Sequence, residues 1–272
     1  MKKFSIMLVF GLFQMCGICQ NPILPVKEGM TDPHVHVYDG IAYMVVGHDS
    51  SINNKWFEMN YWALYSSTDL VNWKLDYTLH PEETFIGRPY NECWGSGFAK
   101  RIGRFYWYFS QHNLAIGVMT AKSPEGPWTD PLGKSMIKKG SVPTDPYDPG
   151  ILEYDGNYYI VFGVWNYYIA RLNDDMISLA EKPRKITIIN PHGPYNLDGQ
   201  NKEQPTDDKP FIHIYNGKFY LSWAVFTLCR IIFTDRMNTR MRYLPTQVLL
   251  KVIKNPPGPK DSGRDVMDHF LK

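Results

Sequence analysis

The chain has 272 residues, 44% of them hydrophobic and 21% charged, so it is long enough to bury a core and too apolar to be disordered. Its formal net charge of +2 excludes the strongly basic surface that nucleic-acid binding requires, so nucleic acid is not an expected partner. Aromatic residues reach 15%, and 21 Gly and 20 Pro interrupt the sequence. This composition favours many short strands joined by turns over a helical bundle.

The first 19 residues have the pattern of an export signal. Lys2 and Lys3 precede an apolar run over 4–13, which is shorter than the roughly 20 residues that a membrane-spanning helix needs. We therefore expect residues 1–19 to be a signal peptide, with cleavage after Cys19 or lipid modification of it as the alternatives. The protein is expected to be periplasmic, extracellular or at the cell surface, and not an integral membrane protein. Without the two lysines the acidic and basic residues balance, which favours an uncharged substrate.

One pattern recurs along the rest of the chain. Asp32-Pro33 and Asp148-Pro149 are each followed, after four residues, by Tyr-Asp-Gly and then by an apolar segment typical of a strand. A third copy begins at Lys209-Pro210 and contains Tyr-Asn-Gly, and a looser copy ends at Gly103 before an aromatic strand. Asp-Gly and Asn-Gly are typical of type I′ turns, so each copy predicts a β-hairpin.

The spacing of these copies predicts the architecture. The turn glycines recur at intervals of roughly 60 residues, which fits one four-stranded sheet with its loops per copy. Sheets of this kind arranged radially form a β-propeller, with Trp73 or Trp128 supplying buried area between sheets. We therefore predict an all-β fold in which residues 20–224 form a propeller domain with four recognisable blades.

Carboxylates stand where a propeller places its pocket. Residues just before an innermost strand converge on the central channel, and Asp32 and Asp148 hold that position in two copies. Asp-Pro alone can be turn chemistry, but two copies with identical spacing, and Asp208 one residue before the third copy, favour a functional role. Three converging carboxylates fit acid-catalysed hydrolysis of a glycosidic bond, which needs one protonated acid and one ionised base.

These residues resemble glycoside hydrolase family 43, whose members are five-bladed propellers that remove arabinose or xylose from plant polysaccharides with inversion. The resemblance covers roughly residues 30–224, and it rests on the two Asp-Pro copies, Ser67–Trp73, Ser123–Leu132 and Tyr168–Met176. It implies a propeller of five blades, no required cofactor, and room for a structural calcium ion in the central channel.

The resemblance also implies roles for the site residues. Asp32 is then the general base that activates water, and Asp148 is the carboxylate that tunes the acid and orients the sugar. The family's acid is a Glu in a Glu-Gly-Pro triplet before the fourth inner strand, where this chain has Asp208-Lys209-Pro210. The acid is therefore Asp208, or Glu203 reaching in from the preceding loop. Glu125 also stands in a Glu-Gly-Pro triplet, but it belongs to an outer-strand turn and is rejected.

Two further residues are candidates for substrate binding. Trp94 matches an aromatic residue that the family uses at the pocket wall, where its ring face would stack on a sugar; the alternative is a core tryptophan. His34 shares a strand face with His36, because alternate residues of a strand point the same way, and the pair offers no complete metal set. His34 is therefore predicted to be polar lining of the pocket or part of the core.

Residues 225–272 change character. They hold nine Lys or Arg and four Asp but no Glu, and they follow no blade pattern. The fifth blade is therefore expected to be missing or divergent, through a truncation or altered reading frame near residue 225, or through an unusual ending that still closes the ring.

We expect a secreted, monomeric, inverting glycosidase that removes arabinofuranosyl or xylosyl residues from plant cell-wall polysaccharides or oligosaccharides. The sequence leaves the sugar and the linkage open. The alternative from a different functional class is a non-catalytic carbohydrate-binding propeller or an inactive remnant, because the acid is substituted and the last blade is not recognisable.

Overall fold

The computed structural model describes residues 23–24, 29–51, 57–187, 208–223 and 251–253. Within these residues, four antiparallel sheets follow one another along the chain, and each is ordered as a simple meander. The first sheet contains β1 (Met30–Tyr38), β2 (Ile41–Asp49), β3 (Met59–Ser67) and β4 (Lys74–Leu79). The second contains β5 (Cys93–Arg101), β6 (Arg104–Gln111), β7 (Ala115–Ala121) and β8 (Ile137–Lys138).

The third and fourth sheets repeat this order. The third contains β9 (Gly150–Tyr154), β10 (Asn157–Phe162), β11 (Tyr168–Arg171) and β12 (Arg184–Lys185), and the fourth contains β13 (Phe211–Tyr215), β14 (Lys218–Ser222) and β15 (Lys251–Ile253). A short 3-10 helix over Pro81–Glu83 follows the first sheet. None of the described segments is a helix long and apolar enough to cross a membrane.

All four predicted hairpins are present, and each turns at the expected residue pair. Both central residues of every turn have positive φ, as type I′ turns require. The φ angles are 52° and 76° at Asp39-Gly40, 47° and 68° at Ile102-Gly103, 49° and 71° at Asp155-Gly156, and 49° and 69° at Asn216-Gly217. Asp-Gly or Asn-Gly thus joins the first two strands of the first, third and fourth sheets, and Ile102-Gly103 joins those of the second.

Most of the hydrophobic core of the described residues lies between neighbouring sheets, in three clusters, and a smaller fourth cluster around Met44 and Tyr65 belongs to the first sheet. The three clusters join the first sheet to the second, the second to the third, and the third to the fourth. Among their large members are Trp62, Phe98, Trp107 and Trp128 in the first cluster, Tyr108, Ile116, Ile160 and Phe162 in the second, and Tyr159, Ile169, Phe219 and Trp223 in the third. Trp128 is 7% exposed, and its ring centroid lies 5.4 Å from that of Trp107 in the second sheet and 6.4 Å from that of Tyr77 in the first, which confirms its predicted packing between sheets.

The inner strands approach one another closely through glycines. A side chain at Gly97 of β5 would meet the carbonyl oxygen of Pro149 at 2.5 Å, and a side chain at Gly150 of β9 would meet that of Pro210 at 2.5 Å. The inner strands β5 and β9 therefore each contact the start of the next inner strand. On the first blade, His34 of β1 also contacts Phe211 at the start of β13. The four sheets are successive blades of a β-propeller whose inner-strand starts converge, as predicted.

The structure describes a short part of the C-terminal segment 225–272 and none of the predicted signal peptide. Strand β15 lies within residues 225–272 and pairs with β14, so this segment supplies the third strand of the fourth blade. The remainder of that segment lies outside the described residues, so the expectation of a missing or divergent fifth blade stays a prediction. The predicted signal peptide over residues 1–19 also lies outside the described residues.

Candidate active site

Three blades present an unusual backbone conformation at the same repeat position. Asp32, Asp148 and Lys209 each precede a proline at the start of an inner strand, and their φ angles are 51°, 52° and 54°. Positive φ is uncommon for residues other than glycine and marks positions that the surrounding structure holds in place. The shared conformation confirms that these three positions are equivalent in the repeat.

Asp148 is the most firmly held of the three residues. Its backbone N–H donates to Oγ of Ser110 at 2.8 Å, and that hydroxyl donates to the carbonyl oxygen of Gly95 at 2.6 Å. Its carboxylate oxygen Oδ2 accepts the backbone N–H of Lys209 at 3.1 Å. Hydrogen bonds from the second and fourth blades therefore fix this aspartate from both sides.

The charge of Asp148 is also strongly perturbed. The residue is 3% exposed, and burial raises the pKa of its carboxyl from 3.8 to about 7. The negative charge of Asp32 acts in the same direction, whereas the Lys209 ammonium and the hydrogen bonds to the carboxylate oppose it. A carboxyl with this pKa exchanges its proton near neutral pH, which is unusual for an aspartate and frequent at functional sites.

Lys209 extends from the fourth blade to the second. Its ammonium Nζ donates to the carbonyl oxygen of Ser96 at 2.8 Å. A side chain at Gly95 would stand 2.6 Å from Oδ1 of Asp148 and 2.9 Å from this Nζ, so the carboxylate and the ammonium share the space that the glycine leaves open. The residue as a whole keeps some exposure, but burial around the ammonium lowers the pKa of Lys209, while Asp148, Asp32 and Asp208 oppose that effect.

Asp32 and Asp208 are more open than Asp148. Both are of intermediate exposure, and both interact electrostatically with Lys209. Oδ2 of Asp32 accepts the hydroxyl of Thr31 at 3.4 Å, which leaves the carboxylate loosely held. The structure thus brings the three predicted aspartates into one electrostatic cluster, with two accessible carboxylates and one buried between blades. Glu203, the alternative acid, lies outside the described residues.

Trp94 stands beside this cluster. Its ring packs against His112, with centroids 4.1 Å apart, and against Tyr147, with centroids 5.2 Å apart. Tyr147 directly precedes Asp148, and Trp94 directly precedes Gly95, so the contact between the two rings joins the segments that carry Gly95 and Asp148. Its Nε1–H is buried with no hydrogen-bond partner among the described residues. This placement fits the predicted pocket wall, and stacking on a sugar stays a prediction.

His34 lies deeper than the aspartates. It is 1% exposed, and its ring centroid lies 4.7 Å from that of His36 and 4.6 Å from that of Phe211. Its Nε2 accepts the backbone N–H of Ile151 at 3.4 Å, and burial keeps the pKa of the imidazole well below its usual value. The prediction that His34 and His36 share a face is confirmed. The burial of His34 fits the core alternative, and direct contact with a sugar stays a prediction.

The structure agrees with the rejection of Glu125 as the acid. This residue lies in an exposed turn at the outer part of the second blade, where it pairs with Lys74 of the first blade at 2.8 Å. Glu125 and Lys74 therefore lie at outer parts of their blades and not at the start of an inner strand.

Sequence reasoning missed three contributors to the cluster: Ser110, Gly95 and the Lys209 side chain. Ser110 and Gly95 act through contacts between blades, for which a single sequence carries no local signal. Lys209 did carry a local signal in the sequence, because this lysine stands where the other two copies have the aspartate of Asp-Pro and so breaks the repeat.

A calcium ion in the channel does not fit the residues described here. Calcium binds six to eight oxygen ligands, several of them carboxylates. In the described part of the chain no group of three or more His, Cys, Asp or Glu is placed to hold a metal. The carboxylates at the inner-strand starts instead face the Lys209 ammonium, whose charge would repel a cation.

A propeller whose inner-strand starts gather several carboxylates has the groups that acid/base cleavage of a glycosidic bond requires, which is the arrangement of a glycosidase. Comparison with known proteins agrees. The sequence profile of glycosyl hydrolases family 43 matches residues 19–244, which is most of the chain. The chain belongs to glycosyl hydrolases family 43.

Named relatives come from several bacteria. A xylosidase/arabinosidase of Bacteroides ovatus is 30% identical over 72% of this chain and 70% of that protein. An arabinoxylan arabinofuranohydrolase of Paenibacillus polymyxa is also 30% identical, over 93% of this chain and 41% of that protein. Among solved structures, a family 43 beta-xylosidase/alpha-arabinofuranosidase from a compost microbial metagenome, in complex with xylotriose and in a calcium-free form, superimposes with a TM-score of 0.60. It is 25% identical, over 75% of this chain and 72% of that chain.

Proposed function

We propose that this family 43 glycosidase removes terminal arabinofuranosyl or xylosyl residues from arabinoxylan, xylan or their fragments, with inversion at the anomeric carbon. The observation that carries the proposal is the placement of two accessible carboxylates, Asp32 and Asp208, around the buried Asp148. The names of the relatives, which include xylosidase/arabinosidase and arabinoxylan arabinofuranohydrolase, support the substrate class. The export pattern of residues 1–19 supports action outside the cytoplasm on plant polysaccharide.

In this proposal Asp32 is the general base. It accepts a proton from a water molecule, and the water oxygen attacks the anomeric carbon from the face opposite the leaving group. A base must be ionised and reach solvent, and Asp32 is partly exposed and loosely held by Thr31. The attack forms a new bond to the water oxygen as the glycosidic bond breaks, so the product sugar has the inverted configuration.

Asp208 is the proposed general acid. It donates its proton to the departing glycosidic oxygen, which leaves as an alcohol. Asp148 takes no proton from substrate in this account. Held by Ser110 and by the backbone of Lys209, it adds negative charge beside the other carboxylates and orients the sugar.

A carbohydrate-binding propeller without turnover is the second candidate, and the Lys209 ammonium favours it. The ammonium interacts electrostatically with Asp208, and a positive charge near a general acid opposes the protonated state that proton donation requires. Under this alternative the site would bind the same sugars but would leave the glycosidic bond intact.

Hydrolysis of aryl arabinofuranosides, aryl xylosides, xylotriose and arabinoxylan by the folded protein tests the proposal. Proton NMR immediately after mixing identifies the first anomer released. The proposal predicts release of arabinose or xylose in the inverted configuration. Retention of configuration would overturn the inverting mechanism. Calorimetric binding of xylotriose without any turnover would establish the binding alternative.

A further inference from the structure

Lys209 departs from its repeat position in a way that calls for an explanation. The equivalent residues of the first and third blades are Asp32 and Asp148, so the fourth blade places a positive charge where the others place negative ones. Lys209 holds the same left-handed conformation, with φ of 54°, although a lysine side chain gains nothing from it. Lysines are seldom found in such enclosed positions without specific partners.

Those partners come from two other blades, the second and the third. The backbone N–H of Lys209 donates to Asp148 at the start of the third blade, at 3.1 Å. Its ammonium donates to the carbonyl oxygen of Ser96 in the second blade, at 2.8 Å. Gly95 leaves the space in which this ammonium and the Asp148 carboxylate face each other. One residue of the fourth blade thus ties together the starts of three inner strands.

The charges around the ammonium are mostly negative. Asp148 of the third blade, Asp32 of the first blade and Asp208 of its own segment all interact electrostatically with it. His34 also interacts electrostatically with the ammonium, and His36 lies next to His34. Burial lowers the pKa of both imidazoles, so both are uncharged at neutral pH. Without the ammonium, the buried Asp148 carboxylate and the two partly exposed ones would repel one another with no cation to offset them.

We propose that Lys209 is a positioning residue whose ammonium supplies, from within the chain, the central positive charge that holds the carboxylates of the first, third and fourth blades together. A divalent cation bound in a propeller channel could also supply a central positive charge. Here that charge belongs to a side chain of the protein itself. The proposal rests on the proposed function only in naming this cluster as the catalytic one. Its test uses thermal unfolding, so it stands or falls independently of turnover.

Lys209→Met removes the charge and keeps the length of the side chain, and Lys218→Met is its matched control at an exposed position of the same hairpin. At pH 8, Lys209→Met is expected to lower the unfolding midpoint by roughly 5–15 °C, because it leaves the buried Asp148 carboxylate uncompensated. At pH 4 the loss is expected to shrink, because the Asp148 carboxyl, whose pKa is about 7, is then protonated. A loss that is the same at both pH values, or no loss at all, would overturn the proposal, since a packing role is insensitive to pH.

Two further measurements complete the test. Adding Asp148→Asn to Lys209→Met is expected to recover part of the lost midpoint at pH 8, and to give a folded protein even if the single variant does not fold. Failure of that rescue would overturn the proposal. The wild-type midpoint is expected to be the same in EDTA and in millimolar calcium chloride. Stabilisation of the wild type by calcium would show that a bound cation does what is here assigned to Lys209.

Discussion

The hydroxyl of Ser110 links the second blade to Asp148. It accepts the backbone N–H of Asp148 at 2.8 Å and donates to the carbonyl oxygen of Gly95 at 2.6 Å, and both residues of the Ser110–Asp148 pair are buried. A residue at the end of one blade's second strand therefore fixes the backbone of the carboxylate that begins the next blade.

Ser110→Ala is expected to lower both stability and activity. Two buried backbone groups lose their partner, which costs about 1–3 kcal/mol of unfolding free energy. Because Asp148 then loses an anchor, kcat/KM is expected to fall by roughly tenfold. Urea unfolding and initial rates on an aryl glycoside measure the two effects. Ser141→Ala is the control, because its hydroxyl makes a similar bond to the Lys138 carbonyl in an exposed turn. Equal effects at the two serines would contradict this account.

The buried carboxyl of Asp148 is expected to make stability depend on pH. Because its pKa is raised from 3.8 to about 7 in the folded protein, its contribution is fully present below pH 4 and is lost as the pH rises through 7. Relative to Asp148→Asn, the wild type is expected to lose up to about 1.4 kcal/mol per pH unit across this window. Urea unfolding at several pH values measures the difference, with exposed Asp155→Asn as control. A difference that is constant with pH would contradict the assignment.

The identity of the acid is expected to appear in the leaving-group dependence. Asp208→Asn should reduce turnover of unactivated xylotriose by about 100- to 10,000-fold, because the leaving oxygen needs a proton. Aryl glycosides with acidic phenols need little protonation, so their turnover should fall much less. Initial rates on both substrates measure the contrast. If Glu203→Gln shows this contrast and Asp208→Asn does not, the acid is Glu203.

The stability of the propeller is expected to depend on tryptophan packing between blades. Trp128→Ala removes a ring that lies against Trp107 and Tyr77 at the interface of the first two blades. Loss of such a buried ring costs about 3–5 kcal/mol. Trp165, which is 50% exposed, provides the control substitution Trp165→Ala. Thermal unfolding of both variants tests the prediction, and a comparable fall in midpoint at the two positions would contradict it.

The parts of the fold that local chemistry determines were predictable. Asp39-Gly40 and Asn216-Gly217 need only their own backbone preferences to form type I′ turns, and their regular spacing indicates repeated sheets. Asp32 and Asp148 were found for the same reason, because a repeat places equivalent residues at equivalent points of the fold.

The parts that depend on contacts between distant segments were not predictable. The Lys209 ammonium meets Ser96 across 113 residues of sequence, and His34 meets Ile151 across 117. No local sequence pattern predicts such a contact, because the contact results from the packing of whole blades around the channel. The buried state of Asp148, and with it the raised pKa, follows from that packing and not from its neighbours in sequence.

The role of Asp32 as general base is tested most directly by the rates of Asp32→Asn and Asp39→Asn on aryl arabinofuranosides and aryl xylosides. Asp39 lies in the exposed turn of the same hairpin, so its variant controls for the loss of a carboxylate near by. Asp32→Asn is expected to lower kcat by about 100- to 10,000-fold while substrate binding is retained. The kcat of Asp39→Asn is expected to stay within about twofold of the wild-type value. Wild-type turnover in Asp32→Asn would contradict the account.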